Sequence, residues 1–251
     1  MMKRFLSMMI FVLLLPGVAS AQELMVAVAA NVQYPVEELK AEFQKQAGIS
    51  IVTAFGSSGK FTAQIANGAP FDVFLSADMD YPQALKDRAL THNSPKVYAY
   101  GTLVLWTMCG VDLSKGMEVL ADGPVKRIAV ASADTAPYGR QAVKALKYFN
   151  LYDRVSAKLV YGESIAQTNQ FITTKAAEAG FTAKSVVLAP NMKGEGAWIE
   201  VDKDSYDPIA QGAVILKHAE KGNLEAAEKF FDFLFSAEAR DIFKKYGYAL
   251  P

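Results

Sequence analysis

The hydrophobic positions of this chain fall in short runs that alternate with stretches of helical period. Residues 24–30 are apolar and rich in Val and Ala, the pattern of a buried strand. From Pro35 onward, Val36, Leu39 and Phe43 share one helical face, and Gly48 supplies a stop. Residues 49–55 predict a second strand, Gly56-Ser57-Ser58-Gly59 a tight loop, and residues 60–66 a short helix closed by Asn67-Gly68. Residues 71–75 predict a third strand. Strand, helix, strand, helix, strand is the order of a parallel sheet covered on both faces.

A second block begins near Tyr98. Residues 103–108 and 128–131 predict strands, residues 138–149 a helix, and residues 158–161 a strand. After Gly162-Glu163-Ser164 a helix is expected to about Ala177, ended by Gly180, with a strand over 185–188. Two helices close the chain, one with Asn223 and one with Ser236 at the capping position. No low-complexity linker separates the blocks, so two lobes would be joined by strands that cross between them.

The first 21 residues follow a different pattern. Lys3 and Arg4 precede an apolar run over 5–15 broken only by Ser7, and Pro16-Gly17 is followed by Ala19-Ser20-Ala21. This is the pattern of a secretory signal peptide cleaved after Ala21, so a soluble product in the periplasm is expected. Lys+Arg 26 balances Asp+Glu 26 over the whole chain. Loss of Lys3 and Arg4 would leave the mature chain at a formal charge of about −2, and a balance without basic excess argues against a general nucleic-acid binder. Cys109 is the single cysteine and the histidines are His92 and His218. These counts exclude an intramolecular disulfide and argue against a Cys- or His-based metal centre. Cys109 is expected to be buried at the end of its strand, and Asp72 and Asp78 to be solvated or capping at strand ends.

Candidate chemistry lies where strands give way to helices. Asn31, Ser57 and Ser58, the 135–139 segment and Ser164-Ile165 each follow an apolar strand and open a helix. Such positions lie at the carboxyl ends of parallel strands and offer unpaired N–H groups to an anion. The same residues are also ordinary helix caps, and spacing alone leaves the two readings open. Enzyme motifs are weak. The Walker A pattern fails at Ala54 and Phe61. Ser57-Ser58-Gly59-Lys60 matches Ser-x-x-Lys, but the partner motifs of a serine hydrolase using Ser57 and Lys60 are missing.

Several motifs follow one another at family spacing: Val28-Ala29-Ala30-Asn31, Ala54-Phe55-Gly56-Ser57-Ser58-Gly59, residues 68–78 (GAPFDVFLSAD), Ala136-Pro137-Tyr138-Gly139-Arg140 and residues 243–248 (FKKYGY). Together they resemble the periplasmic molybdate-binding proteins of molybdate ABC importers, within the extracellular solute-binding protein family. The resemblance implies a two-lobed α/β fold of the type II periplasmic binding protein class. Each lobe would hold a mainly parallel sheet, with residues 22–99 plus 207–251 in lobe 1 and 100–206 in lobe 2.

It also implies a non-enzymatic, monomeric receptor without a cofactor. Molybdate, and tungstate with it, would be clamped between the lobes and passed to a membrane permease. The family's contacts carry over to Asn31, Ser58, Tyr138 and Ile165, with Ala30 and Ser57 as possible additions. No side chain would coordinate the metal directly. Where many members have Ser, Asn31 would offer an amide donor. A tyrosine expected late in the second lobe is replaced by Ala183, and the Tyr138 hydroxyl is its natural substitute. A same-fold receptor for another oxyanion or metal is the alternative.

Overall fold

A computed structural model describes residues 23–251, in which the strands form two separate five-stranded sheets. The proposed signal peptide lies outside the described residues. Leu24, Val26, Ala27 and Val28 in β1 (Glu23–Ala29) have no exposure, as expected of a strand covered on both faces. α1 (Gln33–Ala47) buries Pro35, Val36, Leu39 and Phe43, and Gly48 at φ 69° ends it in the left-handed conformation that glycine adopts without strain. β2 (Ser50–Gly56) leads into α2 (Ser58–Ala66), β3 (Val73–Ser76) into α3 (Asp80–Asp87), and β4 (Lys96–Gly101) closes the first run.

The second run holds β5 (Leu103–Thr107), β6 (Ile128–Ala131), α4 (Pro137–Tyr148), α5 (Tyr152–Val155), β7 (Leu159–Gly162) and α6 (Ile165–Thr173). It continues through β8 (Ala179–Ala183), α7 (Lys184–Val187) and β9 (Ala197–Glu200). β10 (Ile209–Ile215), α8 (Leu224–Phe233) and α9 (Ala237–Lys245) return to the first sheet.

The sheet orders are β2-β1-β3-β10-β4 and β7-β6-β8-β5-β9. β1 pairs parallel with β2 and β3, and β6 parallel with β7 and β8. β10 and β5 pair antiparallel with both of their neighbours. In each sheet four strands run one way and a single strand, β10 or β5, runs against them, because the chain crosses from one lobe to the other at Gly101–Thr102 and returns before β10. Each crossing strand enters its sheet against the direction of the βα units.

Phe43 packs edge-on against Phe230 and tilted against Phe233, with centroids 5.2 and 5.4 Å away, which fastens α1 to α8 over the first sheet. Burying each such ring contributes about 1.5–3 kcal/mol. Trp106 and Phe181 anchor the second core, and Ala29, Ala30 and Ala77 of the first lobe pack into it. The two lobes are therefore closed on one another.

Several sequence expectations are corrected. Residues 185–188 form no strand; Val186 and Val187 are buried in the short helix α7, while the strand is β8, where a helix end had been expected. An apolar run that short fits either element, and only pairing with β5 and β6 decides it. Cys109 lies beyond the end of β5 and is exposed. Asp72 is fully buried, accepting from Met25 N–H at 2.9 Å, Asn223 Nδ2 at 2.8 Å and pairing with His218 Nδ1 at 2.8 Å. Ser236 caps α9 by accepting from Ala239 N–H at 3.2 Å, whereas the Asn223 amide donates to Asp72 and to Glu23 O instead of capping α8.

Candidate functional site

One cleft between the lobes is lined by Ala29, Ala30, Asn31, Gly56, Ser57, Ser58, Ala77, Ala136, Pro137, Tyr138 and Ile165. All six residues singled out in the sequence, Ala30, Asn31, Ser57, Ser58, Tyr138 and Ile165, line it. The topology brings them together. β1 and β2 of the first sheet, and β6 and β7 of the second, point their carboxyl ends at the same gap. Ser58, Tyr138 and Ile165 sit in the first turns of α2, α4 and α6, whose leading N–H groups have no partner within the helix. Pro137 takes the first position of α4, so Tyr138 supplies the first N–H of that helix.

The side chains add hydrogen-bond donors. The Ser58 hydroxyl is fully buried and accepts from Ala77 N–H at 3.0 Å, which leaves its own hydrogen available. The Ser57 hydroxyl is buried with no partner and does not cap α2. An orphaned buried hydroxyl costs about 1–3 kcal/mol, so its position beside a cleft argues that something else bonds it. Ser164 caps α6 by accepting from Gln167 N–H at 3.5 Å, which fixes Ile165 at its place in the first turn.

Asn31 differs from expectation. Its amide donates to Gln211 Oε1 at 2.7 Å and to the Tyr248 hydroxyl at 3.1 Å, so both side-chain hydrogens are engaged within the protein. The carbonyl of Asn31 accepts from Ser185 Oγ at 2.6 Å and from the Tyr248 hydroxyl at 2.9 Å. Asn31 is thus held on both sides, and its turn offers the cleft backbone rather than amide. The reason is that Gln211, in the middle of returning strand β10, is fully buried and needs a donor.

Tyr138 is buried, and its hydroxyl has no partner of hydrogen-bonding geometry. A Cβ on Gly101 would lie 2.0 Å from that oxygen, so the hydroxyl packs against the crossing strand β4 where only glycine leaves room. Burial, reinforced by the Tyr248, Tyr206 and Tyr98 phenols, pushes Tyr138 well above the usual tyrosine range. Burial likewise pushes Tyr248 up to about 12, against hydrogen bonds to Ser185 and Asn31 that pull it down. Both phenols stay neutral at ordinary pH. Ala183, where the sequence lacks a tyrosine, is buried at the end of β8.

Among the described residues that line the cleft, Tyr138 is the one ionisable side chain. The arrangement can therefore hold a compact anion through neutral donors, in a pocket that has no carboxylate to repel it. Hydrolase chemistry finds little support. Lys60 Nζ pairs with Glu163 at 2.5 Å, and no hydrogen bond joins it to Ser57. Among the described residues no cluster of His, Cys, Asp and Glu could hold a metal ion.

Sequence reasoning missed Gln211, Ser185 and the structural part played by Tyr248. The detectable signal was a glutamine inside the apolar run 209–215, where a buried amide must find partners.

A family model described as bacterial extracellular solute-binding protein matches residues 24–249. The chain belongs to this family. It is 41% identical over 238 residues to the molybdate-binding protein ModA of Azotobacter vinelandii, covering 94% of each chain. It is 40% identical to the molybdate-binding protein ModA of Rhodobacter capsulatus, covering 92% of this chain and 89% of that one. The solved periplasmic molybdate-binding protein of Azotobacter vinelandii superposes with a TM-score of 0.86 at 34% identity, over 91% of this chain and 99% of that one. Those relatives are binding proteins, and the two-lobed α/β architecture expected from the sequence is the one they share.

Proposed function

We propose that this protein is the periplasmic receptor of a molybdate ABC importer, capturing molybdate, and tungstate of like shape and charge, by closing its two lobes. The observation that carries this reading is the convergence, from both lobes, of helix starts and seryl hydroxyls with unengaged donors on a cleft without carboxylates. The likeness to molybdate-binding relatives selects the oxyanion. Ser58 would donate through its hydroxyl, Tyr138 and Ile165 through their N–H groups, and Ala30-Asn31 through the backbone of their turn, with Ser57 completing the set. The metal would be held only through its oxygens.

Closure removes water, so each neutral donor strengthens against a dianion in a medium of lower dielectric. Sulfate would be disfavoured by size, since a ring of donors fixed by two closed lobes cannot contract around a smaller tetrahedron. The loaded, closed form would dock as a monomer on the membrane permease, after removal of residues 1–21 on export. The lobes would consist of residues 22–99 plus 207–251 and of residues 100–206.

A thermal-melt panel with molybdate, tungstate, sulfate, phosphate and ferric citrate tests the reading. A ligand at a thousand times its dissociation constant adds about 4.1 kcal/mol of stability. Molybdate and tungstate should raise the melting temperature and the others should not. A melt indifferent to molybdate defeats the proposal.

A further inference from the structure

Beside the anion cleft, but not lining it, the lobes are joined by a second set of contacts. Asp78 follows β3 in the first lobe, and its carboxylate pairs with the guanidinium of Arg140 in α4 of the second lobe. Arg140 also reaches the Tyr81 hydroxyl at 3.5 Å and lies over the Tyr81 ring, 5.2 Å from its centroid. The Tyr81 hydroxyl in turn donates across the gap to Asp134 O at 2.9 Å. Next to it, Gly59 N–H donates to Thr135 O at 2.9 Å, again from lobe to lobe.

Asp78 is already oriented within its own lobe, since its Oδ1 accepts from Ser76 Oγ at 3.2 Å and Tyr81 N–H at 3.3 Å. It is thus presented to Arg140 before the lobes meet. Burial nevertheless pushes the Asp78 carboxyl above the usual carboxylate range, more than the Tyr81 N–H and Arg140 pull it down. A pair of this kind adds little net stability, yet it penalises any register that leaves the charge buried without its partner.

We propose that Asp78, Tyr81 and Arg140 form an interlobe lock that fixes the register of closure and sets the residence time of the bound anion. They are positioning residues: they align the Ser58 side of the cleft with the Tyr138 side without touching the ligand. The inference rests on the reading of the cleft as an anion site that closes. The lock engages only once the lobes have met, so its loss should act on release and leave capture unchanged.

The test measures molybdate association by stopped-flow protein fluorescence, and release by chasing radiolabelled molybdate with unlabelled molybdate. Arg140→Gln should speed release about tenfold or more, because it leaves the largely shielded Asp78 charge without its cation, with association within threefold of wild type. Asp78→Asn should speed release less, and Asp78→Asn combined with Arg140→Gln should release no faster than Arg140→Gln alone. Tyr81→Phe removes only the hydroxyl, should also speed release, and serves if Arg140→Gln fails to fold.

Melting temperatures without ligand should stay within a few degrees of wild type, which a merely structural role would not allow. If Arg140 instead attracts the anion directly, Asp78→Asn leaves its charge balanced only by Asp80, 3.9 Å away, and slows release; that result overturns the lock. Release rates within twofold of wild type in all the variants also overturn it. A wild-type protein that binds no molybdate overturns the anion reading, and the lock with it. Wild-type binding with unmoved release rates overturns the lock alone.

Discussion

Replacing Gly59 by alanine should move stability and affinity in opposite directions. Gly59 is the second residue of α2 and carries no positive φ, so within its own lobe alanine is the better helix former. The gain is about 0.5–1 kcal/mol at most, since the position is near a helix end. Across the gap the outcome reverses. A Cβ at Gly59 would lie 2.7 Å from the Tyr81 hydroxyl and 2.9 Å from Thr135 Cα, where ordinary contact begins near 3.4 Å. The tyrosine can swing aside, but the Thr135 backbone belongs to the other lobe and can yield only if the lobes part by about half an ångström. Overpacking of this size costs about 1–3 kcal/mol, and here it would fall on the closed form alone. The molybdate Kd should rise about 5- to 150-fold, while the ligand-free melting temperature stays level or climbs. Isothermal titration and calorimetric melting of the same preparation read both quantities. An unchanged Kd would refute the argument, by showing that the bound state does not bring α2 against Thr135.

Other perturbations separate the donors. Ser58→Ala should weaken molybdate binding by about 1.5–3 kcal/mol, the scale of a hydrogen bond to a charged partner; calorimetric affinity checks it, and no loss removes Ser58 from the site. Tyr138→Phe should leave affinity within about threefold and hold or raise the melting temperature, because it deletes a buried hydroxyl that has no partner. A tenfold weakening would show that the hydroxyl reaches the anion. Affinity measured from pH 6 to 9 should be flat while the anion stays doubly charged, since Tyr138, the one ionisable lining group, is held above the usual tyrosine range. Stability should also fall in strong alkali: folding raises Tyr248 from about 10 to about 12, so the folded state holds that proton more tightly. This contribution is present below pH 10 and lost as pH rises through 12, and Tyr248→Phe should make the alkaline drop in pH-dependent melts smaller without abolishing it, since Tyr98, Tyr138 and Tyr246 are raised as well.

The strand-to-helix alternation was legible because periodicity is a local signal. The runs around Val26, Phe74 and Val130 are apolar throughout, and α1 shows its buried face in Val36, Leu39 and Phe43. The cleft was legible for the same reason, since each of its donors opens a helix after a strand. Returning strand β10 and edge strands β4 and β9 were not foreseen, because their residues become strands only by pairing with partners distant in the chain. Lys96 to Gly101 needs β10, more than a hundred residues on, to form its ladder. The engagement of Asn31 was hidden in the same way. Nothing within thirty residues of it announces Gln211, Ser185 or Tyr248, and the sequence alone suggested an amide free to meet a ligand.

That network alters how the site works. Asn31 joins the first-lobe turn to the crossing strand through Gln211, to the carboxyl-terminal segment through Tyr248, and to the second lobe through Ser185 Oγ on its carbonyl. Gln211 further donates to Ala77 O at 3.3 Å, beside the Ala77 N–H that orients Ser58. The turn that would present its N–H groups to the anion is therefore held by bonds that also reach the returning strand β10 and the second lobe. A residue there with a shorter side chain could donate to the anion itself but could not reach Gln211 and Tyr248 together. On the proposed reading, the amide would give up a direct contact with the anion, and in return the backbone donors of the turn would be held in place by Gln211 and Tyr248.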